Sequence, residues 1–185
     1  MRFILLLTIV VSLSVSCKSK KVQSKAVEKE TVDVIEKEST PFIEQAKKDL
    51  PDSLVVRLQR TACFGRCPIY TLSFYKDGTA IYKGEKWVEK EGFYKGRVTE
   101  SNLNNIISKA KEVGFYEMDN QYDNEYVTDL PSTITTLKGE SGFKVVANRY
   151  EGPELLLELE KLIDELADSI EWEKIESNAK GYDKQ

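Results

Sequence analysis

The feature that most constrains this chain is Lys76-Asp77-Gly78-Thr79, set between two runs that alternate apolar and polar residues. Ahead of it, Tyr70, Leu72 and Phe74 fall on one side of an extended segment from Ile69 to Tyr75; behind it comes Ala80-Ile81-Tyr82-Lys83. A period of two puts every second side chain on one face of a strand. Asp-Gly between two such runs predicts a hairpin closed by a type I′ turn, which needs positive φ at both central residues. A lone hairpin is marginal in water, so further strands are required. Leu54, Val56 and Leu58 mark one over 54–60, and Gly92 to Val98 mark another. A second hairpin is expected over 132–137 and 143–148, joined through Gly139-Glu140-Ser141-Gly142.

Two segments follow the helical period instead. Thr99 is a cap, Leu103, Ile106, Ile107 and Ala110 recur at i, i+3, i+4 and i+7, and Gly114 is a stop. The last helix is expected from Pro153 to about Glu171. Its stripe is Leu156, Leu159, Ile163, Leu166 and Ile170, widened by Leu155 and Leu162. The order ββββαββα predicts a single α+β domain over 52–175: a mainly antiparallel sheet with two helices packed on it. Residues 115–131 read as a long connector, and 176–185 as a flexible tail.

The first residues read as an address. Arg2 precedes an apolar run from Phe3 to Val11, too short for the roughly 20 residues of a membrane-spanning helix but right for a signal peptide over 1–16. Leu13-Ser14-Val15-Ser16-Cys17 resembles a bacterial lipoprotein box, which implies that Cys17 becomes the acylated first residue of the mature chain. The membrane, reached through that anchor, is the first partner expected. Lys18-Ser19-Lys20-Lys21 is basic, unlike the acidic run that resembles a surface-export signal. The periplasmic side of a cell membrane or outer membrane is therefore favoured. Residues 17–51 hold no Gly, Trp or Tyr and read as a charged tether. Within it, Thr40 and Pro41 would start a short helix carrying Phe42, Ile43 and Ala46 on one side, stopped by Pro51.

The remaining cysteines lie in Arg60-Thr61-Ala62-Cys63-Phe64-Gly65-Arg66-Cys67-Pro68-Ile69-Tyr70. With the downstream Asp77-Gly78, this run resembles the motif of domain of unknown function 6438, a family of secreted and lipid-anchored bacterial proteins. Cys63, Gly65, Cys67, Pro68, Tyr70, Asp77 and Gly78 carry the resemblance, which spans roughly 54–172. It implies domain boundaries and no activity. Three chemistries compete for Cys63 and Cys67. An oxidising compartment favours a disulfide, with Gly65 allowing a tight turn and Pro68 fixing the exit into the strand. Two soft thiolates would also hold Cu(I), and Cys-x-x-x-Cys-Pro is similar to the metal loop of Sco-type copper chaperones. That similarity stops at the loop, since a distant His and a βαβ pattern are missing. Zinc would need two further ligands from carboxylates.

Composition removes much else. The chain has no His, so the usual general base, Ser-His and Cys-His pairs and imidazole ligands are gone. Its 27 basic and 31 acidic residues announce no nucleic-acid surface. No phosphate loop or nucleophile elbow is present. We therefore assign no catalytic residue, no metal and no cofactor. Asp119, Asp123, Glu125 and Asp129 lack the EF-hand spacing. Tyr supplies rigid amphipathic contact area, and Arg66, Tyr116, Tyr122 and Tyr126 are the candidate binding surface. The reading is a lipid-anchored, non-catalytic cell-envelope binding or scaffolding domain with an envelope protein as partner. The alternative is a thiol-based copper-binding or redox protein.

Overall fold

The computed structural model of the protein describes Ile43, Ala46, Lys47 and residues 50–176. The expected signal peptide, Cys17, the greater part of the tether and residues 177–185 lie outside the described residues. Among the described residues no helix is long and apolar enough to cross a membrane.

Eight strands form one sheet: β1 (Leu54–Arg60), β2 (Ile69–Tyr75), β3 (Thr79–Lys86), β4 (Gly92–Arg97), β5 (Gln121–Tyr122), β6 (Thr133–Gly139), β7 (Gly142–Asn148) and β8 (Glu173–Ile175). Their spatial order is β5-β7-β6-β1-β2-β3-β4-β8. Every pairing is antiparallel except β5 on β7. Helices α1 (Glu100–Glu112) and α2 (Glu154–Asp168) complete the α+β fold.

The first hairpin forms where Asp-Gly predicts it, but with a different turn. Gly78 donates to the Tyr75 carbonyl at 2.9 Å, and only Gly78 has positive φ, +77°. Asp77 keeps an ordinary φ because its carboxylate accepts from the Thr79 N–H at 2.9 Å and the Thr79 hydroxyl at 3.0 Å. The result is a three-residue loop ending in a left-handed glycine, rather than a type I′ turn. Those two bonds from Thr79 hold the Asp77 carboxyl below its ordinary pKa.

One face of the sheet carries the main core. Val56, Leu58, Leu72, Phe74 and Leu137 meet Leu103, Ile106 and Ala110 of α1 and Leu156, Leu159 and Ile163 of α2. The α1 cap is as expected, with the Thr99 hydroxyl accepting from the Asn102 N–H at 3.1 Å. On α2 the buried stripe is Leu156, Leu159, Glu160, Ile163 and Ala167. Leu155 is exposed, so the expected widening on that side is wrong: the stripe turns the other way and takes in a glutamate.

The opposite face has apolar clusters of its own. Ile43, which the sequence reading placed in the tether, is wholly buried against Ile134, Val145 and Ala147. Leu54, Tyr75 and Ile81 form a second cluster there.

Two expectations need correction at the chain's later end. The helix stops at Asp168, not near Glu171. Residues 169–172 form a strap that crosses β4 and leads into β8, which pairs with β4. The indole N–H of Trp172 donates to the Ala167 carbonyl at 2.9 Å, turning the chain off the helix axis. The connector 115–131 also holds structure: a 3-10 turn over Phe115–Glu117 and the edge strand β5.

Candidate functional site

The strands β1, β3, β5 and β7 all finish at one end of the sheet, and the loops that follow β1 and β3 join the end of α2 and the strap to build the candidate site. A cleft of about 350 Å³ opens there, lined by Pro68, Tyr82, Trp87, Glu89, Asp168 and Trp172, among others. Both tryptophans of the chain line it.

Two glycines shape its walls. A Cβ on Gly84 would stand 1.8 Å from the Lys90 carbonyl oxygen, so only glycine lets the β3–β4 turn fold back over β3. A Cβ on Gly96 would stand 2.3 Å from Ile170 and 3.0 Å from the Glu171 carbonyl oxygen. The strap can therefore lie directly on β4. Glycine inside a strand marks close approach of another piece of chain, and both positions do this.

The floor is aromatic. Tyr82 stacks on Tyr70 with centroids 5.6 Å apart, meets Trp172 at 5.8 Å and takes Tyr94 edge-on at 6.2 Å. The ladder is braced from α2. The Tyr70 hydroxyl donates to Asp164 at 2.7 Å, and Arg60 donates to the other Asp164 oxygen at 2.6 Å and to the Thr133 hydroxyl at 2.6 Å. Burial and the Asp164 charge push the Tyr70 hydroxyl well above its ordinary pKa. Burial, with the neighbouring Tyr94, Asp164 and Asp168, lifts Tyr82 to about 12. Both remain neutral donors. Burial opposes the Arg60 charge, but Asp164 and Tyr70 more than offset it and the pKa rises.

Above this floor the surface is open and the backbone is held in unusual shapes. Trp87 has φ 59° and is 44% exposed, with the Arg66 guanidinium carbon 5.1 Å and the Lys86 ammonium 5.2 Å from its ring centroid. Asp129 (φ 68°) and Glu151 (φ 57°) are the other non-glycine residues with positive φ among those described, and both lie in loops at this end. The Asp129 carbonyl accepts from the Phe64 N–H at 3.2 Å, tying that loop to the cysteine loop. Phe64 is 89% and Tyr126 87% exposed. Among the described residues, the carboxylates of Glu89 and Asp168 have neither an ion pair nor a hydrogen-bond partner.

Cys63 and Cys67 form a disulfide, with Cα atoms 5.8 Å apart. It closes the loop between the first two strands. Gly65 does not have positive φ, and a Cβ there would meet only Cys63 Sγ at 3.7 Å, so the turn does not demand a glycine.

The four residues nominated from sequence divide. Arg66 and Tyr126 stand at this end. Tyr122 is half-buried in β5, its hydroxyl accepting from the Asp119 N–H at 3.2 Å. Tyr116 lies at the opposite end, where its hydroxyl donates to the Lys138 carbonyl at 3.2 Å. It lines a larger cleft of about 580 Å³ with Lys138, Gly139, Phe143 and Lys144. Two of its lysines are tied to neighbours outside the cleft: Lys138 pairs with Asp52 at 2.7 Å, and Lys144 donates to Asn120 at 2.8 Å and to the Met118 carbonyl. The side chains of Lys111, Glu117 and Glu140 on its lining have neither an ion pair nor a hydrogen-bond partner among the described residues.

Sequence reasoning missed Trp87, Trp172, Glu89 and Asp168, because the walls of the cleft come from segments far apart in the chain. It also missed Glu160, which is 2% exposed beneath α2 and whose carboxylate accepts from the Thr135 hydroxyl at 3.5 Å. Burial pushes Glu160 up to about 7, against the opposing pull of Arg60 and Asn148. No group of three or more potential metal-ligating side chains occurs among the described residues.

The model of the family described as Domain of unknown function (DUF6438) matches residues 54–167, more than half of the chain. No curated protein and no solved structure matches the chain.

Proposed function

The chain belongs to this family of unknown function, and from that premise we propose a non-catalytic binding domain that engages its partner at the aromatic cleft. The carrying observation is a coincidence at one end of the sheet. Exposed aromatics, left-handed backbone at Trp87 and uncommitted carboxylates on Glu89 and Asp168 occur together there. Backbone strain persists only where the surroundings enforce it, and it gathers at binding sites. Ligand sites are concave and largely apolar, with few polar groups. The signal-like segment 1–16 and the lipoprotein-like Cys17 support attachment to the cell envelope on the periplasmic side.

A photoreactive residue in place of Lys90, at the cleft, is compared in cells with one in place of Ser141, at the far end. Adducts from position 90 alone are expected; equal yields at both positions, or none at 90, overturn the proposal. The mass of the mature chain checks the anchor, which requires acyl groups on Cys17. Anaerobic Cu(I) titration of the reduced chain addresses the thiol alternative. Binding tighter than that of the Cys63→Ser/Cys67→Ser variant replaces the present reading with a copper-binding one.

A further inference from the structure

The chemistry of the cleft narrows what can enter it. Its floor offers the faces and edges of Tyr82 and Trp172, which carry negative π-density and attract the weakly positive hydrogens of C–H groups. Its rim offers two carboxylates without partners, Glu89 and Asp168, which accept hydrogen bonds and donate none. Lys90, also on the rim, supplies donors. A cationic ligand would find Trp87 already attended by the guanidinium of Arg66 and the ammonium of Lys86. An anionic ligand would meet Glu89 and Asp168. Three cations (Arg66, Lys86, Lys90) stand near these two acids, so no strong field of either sign selects a charge. What fits is a neutral molecule with an apolar C–H face and a rim of hydroxyls. Those features together describe a pyranose ring.

We infer that the cleft binds a neutral oligosaccharide, its ring face laid on Trp172 and Tyr82 and its hydroxyls donating to Asp168 and Glu89. The inference rests on the binding reading above and specifies its ligand class. A cleft of about 350 Å³ lies near the small end of ligand sites and suits one or two sugar rings rather than a long strand. The hydroxyl of Tyr82, lifted to about 12, stays protonated and can donate to a ring or glycosidic oxygen.

The chain contains two tryptophans and both line the cleft, so tryptophan emission, excited at the red edge where its nine tyrosines do not absorb, reports on this site alone. The full-length chain is titrated with β-1,4-linked N-acetylglucosamine oligosaccharides of two to six units, with malto-oligosaccharides of the same lengths, and with oligolysine. A saturable emission shift is expected with one of the saccharide series, at affinities in the weak range around Kd of about 1 mM or tighter. It should weaken at least tenfold in Asp168→Asn. That substitution sits on an exposed helix end and leaves the unfolding midpoint unchanged. No shift with any saccharide up to about 10 mM, or a shift undiminished in Asp168→Asn, overturns the inference. A shift with oligolysine alone also overturns it, in favour of a cationic partner at the same cleft. Cross-linked adducts at position 90 without a saccharide response refute only the ligand class; missing adducts refute the binding reading itself.

Discussion

The two ends of the sheet are both concave, yet they are built differently: one is tied down by lysines, the other is floored by stacked aromatic rings. At the β6–β7 hairpin the cleft is the larger one, but Lys138, Lys144 and Tyr116 are bonded to Asp52, Asn120 and the Lys138 carbonyl. At the cysteine-loop end the cleft is smaller, and Glu89 and Asp168 face it without partners. Its floor is held rigid from behind by Arg60, Asp164 and Tyr70. The difference teaches that volume is a poor guide to a site. Both clefts keep charged side chains without partners, and what sets the smaller one apart is its braced aromatic floor and the left-handed backbone at Trp87.

Breaking the brace should have the largest effect. Asp164→Ala leaves the Tyr70 hydroxyl without its acceptor and Arg60 with the Thr133 hydroxyl but no counter-charge, in a partly buried setting where the ion pair's side chains are 29% and 27% exposed. A loss of about 3 kcal/mol is expected in urea unfolding. Trp172 emission should change in the folded state, because the ladder above loses its support. An unchanged spectrum would show that the floor is not held from α2.

The buried acid gives the next effect, and its sign is fixed. Glu160 has a folded pKa of about 7 against an ordinary 4.5, so it keeps its proton in the fold over a range where the unfolded chain has released it. Stability therefore falls as pH rises from about 4.5 to about 7, and the full cost remains above that. Glu160→Gln should match the parent at pH 4 and exceed it at pH 8 by on the order of 2–3 kcal/mol. Equal stability at pH 8 would mean that Thr135 and Asn148 satisfy the charged form.

A paired substitution sharpens the contrast between the ends. At Gly96 an added Cβ meets Ile170 and the strap's own carbonyl, whereas at Gly139 its close contact is with the ring of Tyr116 at 2.9 Å, the Gly142 carbonyl oxygen lying farther off at 3.4 Å. Gly96→Ala should cost about 1–3 kcal/mol and shift Trp172 emission, while Gly139→Ala turns a side chain and leaves the emission alone. Asp52→Ala is expected to do least. Its carboxylate is almost fully exposed, so no measurable change in the unfolding midpoint should follow.

Six of the eight strands, the two hairpins and both helices were legible because alternation and the 3.6-residue stripe are local signals, whereas β5 and β8 were not read. The family resemblance was legible in the cysteine loop for the same reason. The cleft was not. Trp87 and Trp172 come together only because β8 returns to pair with β4, and three residues of edge strand carry no periodicity to read. The turn type was misjudged because an Asp side chain can cap a turn from outside the backbone. The sequence did carry one pointer: Gly84 and Gly96 interrupt otherwise regular strand patterns, and each marks where another segment presses against the sheet. The glutamate on the α2 stripe was passed over for the opposite reason, since a charged residue at a buried position contradicts the pattern that identifies the helix.

The position of β1 has a mechanical consequence. It is flanked by β2 on one side and β6 on the other, and it runs from Leu54 toward the cysteine loop. A load applied just ahead of Leu54 and resisted at the far end of the sheet is directed along this strand, whereas one applied ahead of Ile43 must first draw Ile43 from its cluster with Ile134, Val145 and Ala147. Two antiparallel ladders then carry the load in shear, with many hydrogen bonds strained at once. A strand at the sheet's edge would instead unzip one bond at a time. The first strand of the sheet is thus also the one best placed to keep its shape under such a load.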